Sequence, residues 1–445
     1  MARTPNRNRN PEDAGKPGAS SSSARACERL SSMIELAQHY RGWTQRETAA
    51  ALGRNVHAIV PDSGNPKLDM VVSLSEILDW PIEMVVADLR GKMDSAEERD
   101  AAAAGTAAPI GPEEARAIVH RAWELMEAEA WAELIDFSTP ERHARLDGEM
   151  FAHLMYYRQV ALEADGRYVA AVECCRHGLR RVARRSVAAL RLRSVLGNAL
   201  FMAGHLDEAG SVALDLIGLL RGLPETSALR SSLGFALFTR GMALRAQADV
   251  EGPDSSETLR EARANLKEAE QVFGEYRARG GSPKDESLAR KARGAAAEID
   301  VMLHELSPSA FVEEVLAAVE SARDLRTIDG WEAETLGWWC VFASRTVTRS
   351  PLEFADADRL LAILTNKLDE VAERLGHWAL RRHLFTIEHV CRILAGQGKR
   401  TAPDWNFDEA DIRTLMGTMG RFPEFREVGW QILRAVRNEL KERSR

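Results

Sequence analysis

An all-α fold follows from three features of this 445-residue chain. From about residue 113 onward, apolar side chains recur at three- and four-residue spacing, and no run alternates as a strand would. Ala, Leu, Arg and Glu dominate, all of them good helix formers. Breakers at Pro140, Gly166, Gly204, Pro224, Gly252-Pro253, Gly280 to Pro283, Pro308, Pro351, Gly396 to Gly398, Pro403 and Pro423 cut the pattern into pieces. Their spacing suits helices of roughly 12–25 residues in antiparallel pairs.

Composition divides the chain into four parts. Residues 1–26 are Pro, Asn, Arg, Gly and Ser with little to bury, which predicts a disordered tail. Arg3, Arg7, Arg9, Lys16 and Arg25 against Glu12 and Asp13 leave that tail with a net charge of about +3. It reads as a solubilising tail or as a phosphate-contacting arm. Residues 27–92 form a small module of short helices, and 93–112 a low-complexity linker closed by Gly111-Pro112. Residues 113–445 are the helical array, with Pro112, Glu113 and Glu114 suited to the first turn of its first helix.

Bulk charge restricts the function classes. The formal net charge is −8, so no global positive field draws the chain to nucleic acid or membrane, and any DNA contact must be local. Cys27, Cys174, Cys175, Cys340 and Cys391 form no C-x-x-C pair and no disulfide framework, which fits a reducing cytoplasm. The N-terminal residues lack the apolar run of a secretory signal, and no stretch reaches the roughly 18 apolar residues of a membrane span. A cytoplasmic protein without membrane contact is expected. No phosphate loop, nucleophile elbow, zinc-peptidase helix or kinase signature is present, so no enzyme activity and no cofactor are predicted.

The array contains a repeat. Leu196-Gly197, the turn at Gly204, then Leu206 and the small Ala209 form one unit. Gly166, Tyr168 and Ala171 repeat the order of Gly204, Leu206 and Ala209, with the two turns 38 residues apart. A third pair spans Leu229 to Ala248 and Glu257 to Arg277. Further helices are readable at 310–325, 331–347, 354–375, 377–395, 408–420 and 424–442. Residues 150–300 resemble tetratricopeptide repeats. That resemblance implies an α-solenoid whose concave face binds a peptide, a partner helix or a small effector.

Residues 30–91 resemble the Cro/C1-type (XRE-like) helix-turn-helix family, a module of five helices. Leu30 to Tyr40 matches its first helix, and Gly42-Trp43-Thr44-Gln45 the approach to the second, with Thr44 and Glu47 forming a capping box. Ala49, Ala50, Leu52 and Gly53 match the tight turn, Asn65-Pro66-Lys67-Leu68 the start of the fourth helix, and Trp80-Pro81-Ile82 the lead into the fifth. The reading helix departs from the family. Pro66 comes only 13 residues after Gly53, and Pro61 removes a backbone donor inside that segment. Between Cys27 and Lys92, seven basic residues face nine acidic ones, a poor balance for neutralising phosphates.

The resemblance places DNA contact on Thr44, Gln45, Arg46, Arg54, Asn55, His57 and, for a phosphate, Lys67. In the array, Arg176, Arg180 and Arg184 share a helical face with Arg181 and Arg185 beside it. They read as a solvated face or as a patch for an anion or acidic partner. Trp331, Trp338, Trp339 and Trp378 read as core or as a groove lining. Cys174-Cys175 reads as buried filler, and the six-residue gaps between His377, His383 and His389 do not suit a metal. Two functions are compatible with this sequence. One is a bacterial DNA-binding transcription regulator, a possible homodimer, sensing an effector or peptide through the array. The other is a protein–protein interaction adaptor whose module no longer binds DNA.

Overall fold

A computed structural model of the chain describes residues 19–61, 66–90, 110–224, 226–252, 255–278, 283–350, 354–398 and 407–443. The described residues form nineteen α-helices and no strand, in two compact units, Met1–Ser95 and Ala96–Arg445.

The first unit contains α1 (Ala19–Arg41), α2 (Gln45–Ala51), a 3-10 turn (Val56–Ala58), α3 (Leu68–Leu78) and α4 (Ile82–Arg90). It has five helical segments, but the third is one 3-10 turn, with Pro61 just beyond it. Without its N–H and with its ring in the way, proline cannot continue a helix there. Helix α1 begins inside the segment read as a tail, because no glycine or proline interrupts residues 19–41. The rest of that segment, 1–18, lies outside the described residues, as does most of the expected linker. Leu30, Ile34 and Ala37 of α1, Leu52 after α2, Ile59 after the 3-10 turn, Leu74 and Leu78 of α3 and Val85 of α4 are buried together as one core.

The second unit is an array of helix pairs. In order these are α5 (Pro112–Glu127) and α6 (Trp131–Phe137), α7 (Gly148–Ala164) and α8 (Tyr168–Arg180), α9 (Val187–Met202) and α10 (Leu206–Arg221). There follow α11 (Ser227–Glu251) and α12 (Ser256–Ala278), α13 (Pro283–Met302) and α14 (Pro308–Ser321), α15 (Gly330–Arg349) and α16 (Ala357–Leu375). The last pair is α17 (Trp378–Gly396) and α18 (Glu409–Arg421), with α19 (Arg426–Arg443) closing the chain. The odd-numbered helices stack on one another without a break from α5 to α19, and residues beyond 300 extend the same row.

Helix α10 shows how sequence builds such a pair. Asp207 and Glu208 face its positive end, and Ala209, Ala213, Leu216, Ile217 and Leu220 lie buried along one stripe. Burying a side chain such as Leu216 contributes about 1.5–3 kcal/mol. Opposite, a Cβ on Gly197 would come within 3.9 Å of the Ala209 carbonyl and 3.4 Å of Thr239 on α11, so the helices cross within van der Waals reach of a small residue at this position.

The corresponding turns have the same geometry. Gly166 and Gly204 sit at φ of 76° and 83°. At each, the glycine N–H bonds three residues back and the next N–H five residues back, Arg167 to Leu162 and His205 to Leu200. This double bond satisfies the orphan carbonyls of the helix end. The far end of the array meets these turns. Trp378 and Arg421 lie against Gly166, Glu424 lies against Gly204, and Phe422 packs on Tyr168 with ring centroids 5.1 Å apart. Arg421 Nε also donates to the Asp165 carbonyl at 3.4 Å. The row of helices therefore curls until its C-terminal end touches its second pair.

Candidate DNA contacts and the polar interior of the array

In the first unit, Thr44 caps α2. Its hydroxyl accepts from the Glu47 N–H at 3.3 Å, and the Glu47 carboxylate accepts from the Thr44 N–H at 2.7 Å. The carboxylate accepts from the Thr44 hydroxyl as well, at 2.8 Å, and the bonds from the Thr44 N–H and hydroxyl hold it below its usual range. Thr44, Gln45 and Arg46 are exposed on the rim of this helix, and Lys67 is exposed at the start of α3. Arg54 is differently placed. Its NH2 donates to both oxygens of Asp69 on α3, at 2.9 and 3.0 Å, and its side chain is 24% exposed. Asn55 is exposed, its carbonyl accepting from the Ala58 N–H. His57 has its backbone in the 3-10 turn, and its side chain lies outside the described residues. The chain thus sets Thr44, Gln45 and Arg46 together, whereas Arg54 is paired with the exposed carboxylate of Asp69.

The arginine run of the array does not form one helical face. Helix α8 stops at Arg180, leaving Arg184 and Arg185 exposed in the following turn. Two interactions end the helix there. Arg181 NH2 is drawn back to the Ala144 and Leu146 carbonyls at 2.7 and 2.8 Å, and Ser186 caps α9 by accepting from the Ala189 N–H. Arg181 also covers the Phe151 ring at 4.0 Å. Arg176 pairs with Glu208 of α10 at 2.6 Å, and Arg180 is exposed. The interactions of Arg176 and Arg181 tie neighbouring helices together.

The aromatic residues divide as well. Trp338 and Trp339 are buried at 3% and 6%, while Trp331 is 43% exposed beneath the Lys284 ammonium. Cys174 and Cys175 are buried, and desolvation pushes the Cys174 thiol up to about 12, so both are packing groups. Among the described residues, no three His, Cys, Asp or Glu side chains gather as a metal site, and no helix is long and apolar enough to cross a membrane.

Inside the array, charged side chains on the odd-numbered helices face one another. Glu298 of α13 is fully buried. Arg245 of α11 donates to both its oxygens at 2.9 Å, and Arg349 of α15 reaches it at 3.0 Å. Asp249 completes the cluster, 2.9 Å from Arg245 and 2.8 Å from Arg349. Burial opposes ionisation of Glu298, but Arg245, Arg345 and Arg349 outweigh it and hold its pKa at about 2. Along the same row, Lys291 of α13 and the Trp338 indole N–H meet Glu334 of α15 at 2.5 and 3.2 Å.

Toward the start of the row lies a carboxyl with no cation bonded to it. Glu163, near the end of α7, accepts from Asn198 Nδ2 of α9 at 2.8 Å. Burial raises its pKa to about 7, against the smaller opposing effects of Gln159 and Asn198. Gln159, one turn before it, is fully buried and makes no hydrogen bond of ordinary geometry.

None of these interior groups stood out as a site in the sequence. The signal available was a charged pair four residues apart inside a largely apolar run, Arg245 with Asp249 and Arg345 with Arg349. A charge on the buried stripe of a helix needs a partner, whereas one on a solvated face does not.

No protein-family model and no curated protein matches the chain. Among solved structures, it is similar to Bacillus thuringiensis PlcR in complex with the peptide PapR7 and DNA. The alignment covers 80% of this chain and 99% of PlcR, at 12% identity and a TM-score of 0.32, a likeness too distant to carry function across.

Proposed function

We propose that the chain is a non-enzymatic, DNA-binding transcription regulator. The first unit contacts DNA, and the helical array receives a peptide or other effector and forms the homodimer. The supporting observation is the rim of α2, where a capping box holds Thr44 in place and Gln45 and Arg46 stand exposed beside it. Effector contact with the array biases it between two curvatures, which changes the spacing of the two DNA-contacting units in the dimer. With one 3-10 turn in place of a reading helix, binding rests on phosphate contacts more than on base readout.

A second reading has its own observation. The Arg54–Asp69 pair and the lost helix fit an interaction adaptor in which the unit no longer binds DNA. Retention of genomic fragments by the full-length protein, at low and moderate salt, separates the two. A salt-dependent complex is expected, with Arg46→Ala weakening it and lowering the salt slope by about one contact. Asp69→Ala, by freeing Arg54, should strengthen it. Absence of retention even at low salt overturns the regulator and leaves the adaptor.

A further inference from the structure

In the charge cluster that runs from Glu298 through His383 to Glu424, carboxylates are one fewer than guanidiniums. Arg245, Arg345, Arg349 and Arg382 supply four guanidiniums; Glu298, Asp249 and Glu424 supply three carboxylates. Arg245 and Arg349 each bond closely to Glu298 and Asp249, and Arg382 of α17 bonds to Glu424 at 2.5 Å. Arg345 of α15 is left with one long bond to Glu298, NH1 to Oε2 at 3.5 Å, on the oxygen that Arg245 Nε already holds at 2.9 Å.

Its other neighbour does not repair the deficit. Arg345 NH2 lies 3.3 Å from His383 Nδ1, and Arg382 NH2 lies 3.2 Å from His383 Nε2. A neutral imidazole has one lone pair and one N–H, so only one of these two guanidiniums finds an acceptor. A protonated ring would offer none. Burial, together with Arg382 and Arg345, holds His383 well below its usual pKa, which keeps it neutral. One of the two guanidiniums therefore faces the ring N–H and finds no acceptor at His383.

That place is reachable. The side chains of Arg345 and Arg382 are 16% and 13% exposed. Trp338 stands beside it, 5.3 Å from the His383 ring and stacked on Phe342, giving an apolar wall next to the donors. Guanidinium forks match the planar spacing of carboxylate and phosphate oxygens.

We propose that Arg345 and Arg382, with His383 between them, form the binding site for one anionic group, a carboxylate or a phosphate, on the effector that the array receives. This rests on reading the array as the receptor half of the protein. The group's oxygens accept from both guanidiniums, and the apolar wall carries whatever the anion is attached to.

The test uses the full-length protein without DNA, so that its outcome is separate from DNA retention. Inorganic phosphate and acetate are titrated at constant ionic strength, with thermal unfolding as the readout. A saturable rise in Tm is expected with at least one probe. Phosphate alone points to a phosphoryl group on the effector, acetate alone to a carboxylate. Arg345→Gln should weaken that response about tenfold or more, while its Tm without anion stays at or above that of the wild type. Should that variant fail to fold, Arg345→Lys keeps the charge but loses the fork, and should also bind about tenfold more weakly. No saturable response to either probe, or a variant responding like the wild type, overturns the site.

Discussion

Gly53 and Gly204 end their helices with the same pair of hydrogen bonds, yet the chain that leaves them behaves differently. At Gly53 the bonds run to Ala50 and from Arg54 to Ala49; at Gly204 they run to Phe201 and from His205 to Leu200. Both glycines have positive φ, 62° and 83°. After Gly204, α10 starts at once, because five apolar residues at helical spacing find α9 and α11 to bury against. After Gly53, Ile59 alone among the described side chains is buried before Pro61, and one 3-10 turn forms. The helix-ending turn is a local device used in both units, whereas a helix beyond it requires a face to bury. The array is thus held by tertiary packing and internal charge pairing, and the first unit relies more on local capping.

The largest test of this contrast is Glu298→Ala. It leaves Arg245, Arg345 and Arg349 without their buried carboxylate and should cost about 3–5 kcal/mol, read by urea unfolding. A loss below about 1 kcal/mol would mean the interior charges are solvated and the array rests on apolar packing alone.

Next comes Glu163. Its folded pKa of about 7 lies above the ordinary 4.5, so the folded chain keeps a proton that the unfolded chain releases between those values. Stability should fall as pH rises through that window, by up to about 3 kcal/mol, and level off above it. In Glu163→Gln this part of the slope should vanish; an unchanged pH profile would place the carboxyl in contact with water.

Glycine substitutions compare the turns themselves. An added Cβ at Gly166 would stand 2.5 Å from Trp378, whereas at Gly53 it meets nothing within 4 Å. Gly166→Ala should cost about 2–4 kcal/mol from backbone strain plus overpacking, and Gly53→Ala about 1–2 from strain alone. Equal losses would remove the distinction. The smallest effect is expected at the cap, where Thr44→Ala should cost about 1 kcal/mol and lower amide protection in α2 first.

The sequence was most legible where a signal is local. The turn at Gly204, the cap at Thr44 and the apolar stripe of α10 can be read from neighbouring residues, because a positive φ, a hydroxyl acceptor and a helical period are properties of a few positions. The arginines after α8 were misplaced for the opposite reason. Ala183-Arg184-Arg185 has good helix propensity, and what ends the helix is Arg181 reaching back to the carbonyls of 144 and 146, together with the Ser186 cap. Glu298 could not be found either. Its three guanidiniums come from helices some fifty residues away on either side, and nothing in its own helix announces them. The pairing of Arg54 is hidden from the sequence for the same reason, since its partner Asp69 belongs to the next helix.

The meeting of Phe422 and Glu424 with the turns at Tyr168 and Gly204 also bears on how the array comes apart. A stack of repeats with open ends melts piecemeal, each unit answering only to its neighbours. Here residues about 250 positions apart share contacts, and the C-terminal end of the stack is pinned to its second and third pairs. Releasing the C-terminal helices also uncovers the turns of α7 to α10, so fraying from that end gives way to a cooperative loss of the pairs the seam joins. The same seam is a late event in assembly, because its loop is the longest the array has to close.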